Sequence, residues 1–167
     1  PYWEKNTVRH SKLVDYRYND LKISGERNEL NKGANDKGYI VFEVKNSEKI
    51  WNSKEELLVE RSLTRLRTCD RGAILTSNED DQVWVTGVTK VNRNGKELTQ
   101  EITTPLYRKL TCEHFQSGVI TTFVQKEKTA ELNYGDGLCD NKAVWTNGIV
   151  KKDIILKSWV NHYSVKP

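Results

Sequence analysis

The sequence predicts an all-β protein: a single domain with a long, twisted antiparallel sheet, sandwich-like or extended, and little helix. Three observations lead to this prediction. Short runs rich in Val, Ile, Tyr and Thr recur along most of the chain, often with apolar and polar residues alternating. Asn and Gly fall between these runs, which is typical of tight hairpin turns. Only 36% of the 167 residues are hydrophobic and 30% are charged, so much of the sheet is expected to face water.

The length fits one domain, and no low-complexity segment or linker divides it. A compact domain of this size buries roughly 70% of its unfolded surface. We therefore expect one β domain over residues 1–167, with 1–11 and 157–167 as flexible or docking ends.

The first third of the chain predicts three strands. Lys12 to Tyr18 and Leu21 to Arg27 are separated by Asn19-Asp20, a hairpin turn, and the second run alternates apolar and polar residues. Asn28 to Gly38 collects Asn, Gly, Asp and Lys, which predicts a mobile loop. Tyr39 to Val44 is β-branched and aromatic, which favours a strand.

The segment from Ser53 to Arg67 is ambiguous. Ser53 and Glu56 have the spacing of a capping box, and the leucines that follow could form one face of a helix. The same residues can be an irregular, charged strand. Periodicity alone slightly favours the helix.

The remaining elements are all predicted strands and turns. Gln82 to Val91 alternates Val with other residues and shifts its pattern at Gly87, which predicts a β-bulge. Asn92 to Gly95 turns the chain, and Pro105 marks a strand boundary or edge because it has no N–H to donate. Further strands are predicted at 96–104, 107–112, 118–124, 130–134 and 150–156, with Asn147-Gly148 as the strongest hairpin signal.

Composition excludes several functional classes. The net charge of +4 comes from 27 basic and 23 acidic residues mixed along the chain, so a nucleic-acid partner is not expected. The chain has no apolar run of about 18 residues, and it starts at Pro1 without Met, as a processed chain or an excised fragment would. A basic group is interleaved with Glu55, Glu56, Glu60 and Asp70, which favours a solvated face over an anion site; it comprises Arg61, Arg65, Arg67, Arg71, Arg108 and Lys109.

Residues 132–143, which read LNYGDGLCDNKA, resemble a C-terminal motif of uncharacterised exported lipoproteins of Bacteroidetes. Segments starting at Val85, Ile102 and Ser117 keep the order and spacing of that family. The resemblance implies an envelope protein of long antiparallel strands, located at the outer membrane or cell surface or in the periplasm. An N-terminal lipid absent from this chain would supply its membrane anchor. It also favours a strand for 53–67, and it transfers no catalytic residue.

Three groups of residues are candidates for a site. Cys112 and Cys139 lie in two of the matched motifs, and in an oxidising envelope we expect a disulfide between them; two buried thiols are the alternative. Asp136, Asp140 and Asn141 crowd oxygen ligands into a Gly-rich loop, as calcium sites do, although turn chemistry explains them equally. Trp51, Trp84 and Trp145 could stack on sugars, but a packing role is favoured. Cysteine and histidine spacing predicts no zinc site.

No nucleophile with a neighbouring base and no close carboxylate pair is apparent, because Glu55-Glu56 and Asp80-Asp81 are adjacent and would point to opposite faces of a strand. We therefore expect a non-enzymatic envelope protein of binding or structural type that uses no cofactor. Its partner would be a glycan or another envelope protein, or a second copy paired through an edge strand. The alternatives are a glycan-binding module and, less favoured, an unrecognised hydrolase.

Overall fold

The computed structural model describes residues 3–74, 77–93 and 95–157, and these residues form ten β-strands and no helix. The strands are β1 Val8–Tyr18, β2 Leu21–Ala34, β3 Ile40–Trp51, β4 Leu57–Asp70, β5 Gln82–Arg93, β6 Lys96–Lys109, β7 Ser117–Val124, β8 Glu127–Asp136, β9 Lys142–Thr146 and β10 Lys151–Ile155. They form one antiparallel sheet in which each strand pairs with the strands before and after it. The predicted all-β fold is confirmed, and its sheet is a single meander. Within the described ranges no helix is found that could span a membrane.

The predicted hairpin turns are present, but the strand boundary predicted at Pro105 is wrong, because β6 runs through it from Lys96 to Lys109. Asn19 lies at φ 52° between β1 and β2, and Gly148 at φ 88° lies between β9 and β10. Gly95 at φ 76° ends the turn between β5 and β6, where its N–H donates to Asn92 Oδ1. Asn and Gly adopt positive φ at low cost, which is why their positions in the sequence located the turns. The bulge predicted at Gly87 is also present: the β5–β6 register shifts there, and Gly87 has φ 138°.

The slight preference for a helix in Ser53 to Arg67 is wrong, because Leu57–Asp70 is strand β4. The spacing of Ser53 and Glu56 belongs to the β3–β4 turn. There Asn52 Oδ1 accepts the N–H groups of Lys54 and Glu56, each at 2.9 Å, and Asn52 Nδ2 donates to Glu56 Oε2 at 2.6 Å. Local side-chain bonds to the backbone thus imitate a capping pattern without a helix.

The mobile loop predicted over Asn28 to Gly38 is also largely wrong. β2 extends to Ala34, and only residues 35–39 form the turn before β3. Asn31 is 1% exposed, and its Oδ1 accepts the Gly33 N–H at 2.8 Å. Polar residues can continue a strand where partners inside the fold satisfy them, and composition does not reveal those partners.

The N-terminal end docks onto the sheet. Residues 8–11 belong to β1, and the Trp3 ring meets Phe42 edge-on at 5.7 Å between centroids. The Arg71 guanidinium lies 4.8 Å from the centre of the Trp3 ring. The predicted C-terminal end, residues 157–167, lies outside the described residues except for Lys157.

The sheet curls toward one face, which we call the inner face and define by Phe42, Arg67 and Val85 in one cross-strand row. Tyr134 of β8 packs against the buried cluster of Val83, Val85 and Leu106 on β5 and β6. In a flat sheet β5 and β8 are three strand spacings apart, about 14 Å, so only curvature can bring these side chains together. The core therefore lies at one end of the inner face rather than between two sheets.

Candidate functional site

The inner face carries a cavity of about 780 Å³ beside this core. Its apolar lining is Val83, Val85, Leu110, Phe115, Tyr134 and Leu156, and its basic lining is Arg67, Arg108, His114 and Lys157, with Glu113 as the acidic member. Leu156 and Lys157 follow β10, whereas Arg67 belongs to β4, about 29 Å away by strand spacing in a flat sheet. The cavity thus exists because the sheet curls.

One wall of the cavity is the segment 110–116, which we call the wall loop. Two ties hold it to the chain after β8. Cys112 is joined to Cys139 by a disulfide with 5.6 Å between Cα atoms. Gln116, buried at 5% exposure, donates through Nε2 to the Gly137 carbonyl and receives the Gly137 N–H at its own carbonyl, both at 2.8 Å. The wall therefore keeps its shape without a helix or a strand of its own.

The wall loop is also tied to the end of β6. Gln116 Oε1 accepts the Lys109 N–H at 2.7 Å, and the Gln116 N–H donates to the Tyr107 carbonyl at 2.8 Å. Gln116 thus uses its backbone and both side-chain polar atoms to join β6, the wall loop and the end of β8. Sequence reasoning missed this residue, because a single Gln between Phe115 and Ser117 carries no pattern.

The cations of the cavity differ in how they are engaged. Arg67 pairs with the buried carboxylate of Glu29, which Arg27 also contacts at 3.2 Å, so two arginines share one negative charge. Arg108 Nη1 donates to the Glu113 carbonyl at 2.9 Å, which holds the guanidinium at the wall, and no carboxylate among the described residues pairs with it. Lys157 has no ion pair with any residue that the structure describes. Arg108 and Lys157 thus leave positive charge next to an apolar surface.

His114 adds a titratable group that is largely covered. Its side chain is 9% exposed, and its Nε2 lies 3.8 Å from Glu113 Oε2. This contact becomes an ion pair when the imidazole is protonated.

A second arginine, Arg65, interacts with Tyr134 and pairs with no carboxylate in the described part of the chain. Arg65 is half-buried, and its Nε atom is buried with no hydrogen-bond partner. Burial lowers the pKa of the Arg65 guanidinium, and the nearby charges of Arg61 and Arg27 lower it further, whereas Tyr134 raises it. Burial raises the pKa of the Tyr134 phenol, while Arg65 opposes that rise. The two groups therefore share one poorly hydrated region of the inner face.

The structure separates the three candidate tryptophans. Trp84 stacks on Tyr39 at 5.5 Å and packs against Tyr107 at 5.4 Å with the rings tilted by 35°, so it is part of an aromatic cluster. Trp51 is ten residues along β3 from the β3 residue that lies in the same cross-strand row as Trp84, a distance of about 33 Å. Lys22 Nζ lies 5.1 Å from the centre of the Trp51 ring. Trp145 lies on β9, opposite Leu132 of β8, so it is on neither of the strands that carry Trp51 and Trp84. These rings cannot contact one sugar residue together.

The candidate calcium residues are used in local turns. Asp140 Oδ1 accepts the Lys142 N–H at 3.0 Å, and Asn133 Oδ1 accepts the Gly135 N–H at 2.8 Å. Asp136 ends β8, and the Asn141 carbonyl accepts the Leu156 N–H at 2.7 Å. Among the described residues no group of three or more His, Cys, Asp and Glu side chains is placed to hold a metal ion. The side-chain oxygens of Asp140 and Asn133 thus have turn-forming roles.

The basic group predicted to form a solvated face is more varied than its sequence indicates. Arg61 pairs with Glu48, and Arg67 pairs with Glu29, both across strands rather than with interleaved acids. Arg71 covers Trp3, and Arg65 is half-buried. The register, which places residues far apart in sequence side by side, decides these partners.

No family model, curated protein or solved structure matches this chain. The resemblance to exported lipoproteins therefore stays a prediction.

Proposed function

We propose that this chain is a non-enzymatic binding module of the cell envelope, exported to an oxidising compartment, and that its ligand site is the cavity on the inner face. The observation that carries the proposal is the Cys112–Cys139 disulfide in the wall of that cavity. Disulfides persist outside the reducing cytosol, so a cavity whose wall depends on one works best in an exported protein. Location at the outer membrane or surface, with a lipid anchor, is the finer part of this proposal.

The lining favours an amphipathic anion as ligand. Val83, Val85 and Phe115 offer apolar surface, while Arg108 and Lys157 bring positive charge to its edge. A pocket of this volume with a few polar groups beside apolar walls is typical of small-molecule sites. An arginine held by backbone carbonyls is fixed before the ligand arrives, which lowers the entropic cost of binding. A carboxylate on an apolar body would match both parts of the lining.

Stacking on sugars is disfavoured as the binding mode. Trp84 already stacks on Tyr39 and packs against Tyr107, so part of its ring surface is occupied. Sugar stacking needs an open aromatic face.

The binding experiment uses three ligands with one chain length and different heads: dodecanoate, dodecyltrimethylammonium and a dodecyl glycoside. Calorimetric titration should show binding of dodecanoate alone or at least tenfold more tightly than the others. Arg108→Gln should weaken it roughly tenfold, because a charge-assisted hydrogen bond is worth about 1.5–3 kcal/mol. Arg93→Gln, on an exposed residue at the far end of β5, is the matched control and should change nothing. Equal affinity for all three heads would contradict the proposed ligand class.

Location is tested separately by fractionating the source cells. Recovery in the envelope fraction with Cys112 and Cys139 resistant to alkylation before reduction supports the proposal. Recovery in the cytosol with all three thiols alkylated would refute it.

A further inference from the structure

The first strand leaves a long open edge. All eleven residues of β1 are exposed, and only β2 pairs with it among the described residues. The apolar side chains Val8 and Leu13 are 59% and 42% exposed. Free edges of this length are usually covered or blocked in soluble proteins, because they offer unpaired N–H and C=O groups to another strand.

The backbone orientation of this edge follows from one hydrogen bond. The Asn31 N–H donates to the Thr7 carbonyl at 2.9 Å, so the carbonyl of Thr7 points toward β2. In an antiparallel pair, residues that bond inward alternate with residues that bond outward. Residues 9, 11 and 13 therefore bond to β2, and the N–H and C=O groups of Val8, His10 and Lys12 point away from the sheet.

A bulge limits the usable length. The β1–β2 register shifts between Leu13 and Tyr16, where Asp15 has φ 48° and its N–H donates to Ser24 Oγ at 3.0 Å. Bulges bend a strand and interrupt its ladder. The regular edge is thus Val8–Leu13, about six residues, which we call the open edge.

The charges along the open edge indicate which kind of partner fits it. Arg9 and Lys12 of the open edge, and Arg17 beyond the bulge, form no ion pair with any described residue, whereas His10 lies 3.9 Å from Glu26. The open edge carries two cations and no carboxylate, so a second copy would bring an edge with the same excess of positive charge alongside it, and this repulsion disfavours self-pairing. We propose that the open edge receives an extended, acidic segment of a partner protein, which adds a strand to the sheet.

The binding mode divides affinity and specificity between backbone and side chains. Three outward N–H groups and three carbonyls supply the ladder, and Arg9 and Lys12 favour acidic residues in the incoming strand. The exposed Val8 and Leu13 contact its apolar residues. The site lies on β1 and is separate from the cavity, so its occupation does not depend on the proposed function.

The experiment measures fluorescence anisotropy of a labelled eight-residue valine peptide with Glu at positions 3 and 6, added to the whole chain. This spacing places Glu beside both Arg9 and Lys12, which lie on opposite faces of β1. The expected result is saturable binding that weakens at least tenfold when Lys replaces Glu, or when alternate peptide nitrogens are methylated. His10→Pro removes one outward N–H without touching the β1–β2 ladder and should weaken binding at least tenfold, whereas His10→Ala should retain it. Circular dichroism verifies that both variants keep the sheet.

Three outcomes would overturn the proposal. One is equal binding of the Glu and Lys peptides, which would show an unspecific apolar edge. Another is binding unaffected by His10→Pro in a folded protein, which would place the peptide elsewhere. The last is a dimer in sedimentation that His10→Pro dissociates, which would make a second copy the occupant.

Discussion

Removing the disulfide is expected to lower stability by a calculable amount. Cys112 and Cys139 are 27 residues apart, and closing a loop of that length in the unfolded chain contributes about 3.5 kcal/mol by the chain-entropy relation. The double variant Cys112→Ser with Cys139→Ser should therefore lose about 3.5 kcal/mol of unfolding free energy. For a chain of this size each kcal/mol corresponds to about 2–4 °C, so the midpoint of thermal unfolding should fall by roughly 7–14 °C.

The measurement is thermal unfolding followed by circular dichroism, with and without reductant. The matched control is Cys69→Ser, because Cys69 is a free, half-buried thiol outside the disulfide. Burial raises the pKa of the Cys69 thiol, so it should also be alkylated slowly in the folded protein. Reductant should shift the wild type and the control but not the double variant. Three thiols alkylated in the unreduced native protein, or an unchanged midpoint in the double variant, would refute the reasoning.

Three further outcomes are expected. Gly87→Ala should lower the free energy of unfolding in urea by on the order of 3 kcal/mol, because a Cβ there would meet a backbone oxygen at 2.2 Å. Gly95→Ala, with open space around it, should lower it by about 1–2 kcal/mol. Equal losses in the two variants would contradict this. Phe42→Ala should cost about 3–5 kcal/mol, since the ring is fully buried, and a loss below 1 kcal/mol would show that the site is not core. The hydrogen bond from Lys45 lowers the pKa of Glu43 below 4.5, so this stabilisation is present above that pH and is lost as the pH falls through the folded value. Glu43→Gln should therefore lose less stability than wild type between about pH 6 and pH 3, as measured by urea unfolding, and parallel curves would contradict the sign.

The local elements could be predicted where the cause is local. Asn19, Gly95 and Gly148 mark turns because few residues adopt positive φ, and Gly87 marks a bulge for the same reason. Predictions from periodicity were less reliable: the leucines of 57–66 have helical spacing, yet they lie on strand β4 between two partners. Pairing with neighbouring strands outweighs an intrinsic preference of a few tenths of a kcal/mol per residue.

The candidate site could not be derived in the same way. The sequence indicated Cys112 and Cys139 through their motifs, but it gave no reason to associate them with Arg108 or the residues after β10. Gln116 has no sequence signal at all, and Arg65 is distinguished only as one member of a basic group expected to be solvated, since a buried polar side chain looks like any surface residue in the sequence.

The sequence by itself determined an antiparallel β protein with hairpin turns at known places and much of its surface in water. The tertiary structure alone decided that all ten strands form one meander, that this sheet curls toward the face carrying Phe42 and Val85, and that a cavity forms beside Tyr134. The physical reason is the number of residues over which each feature is determined. Turns depend on the φ angles of one or two residues, whereas curvature results from small twists and bulges added over many strands.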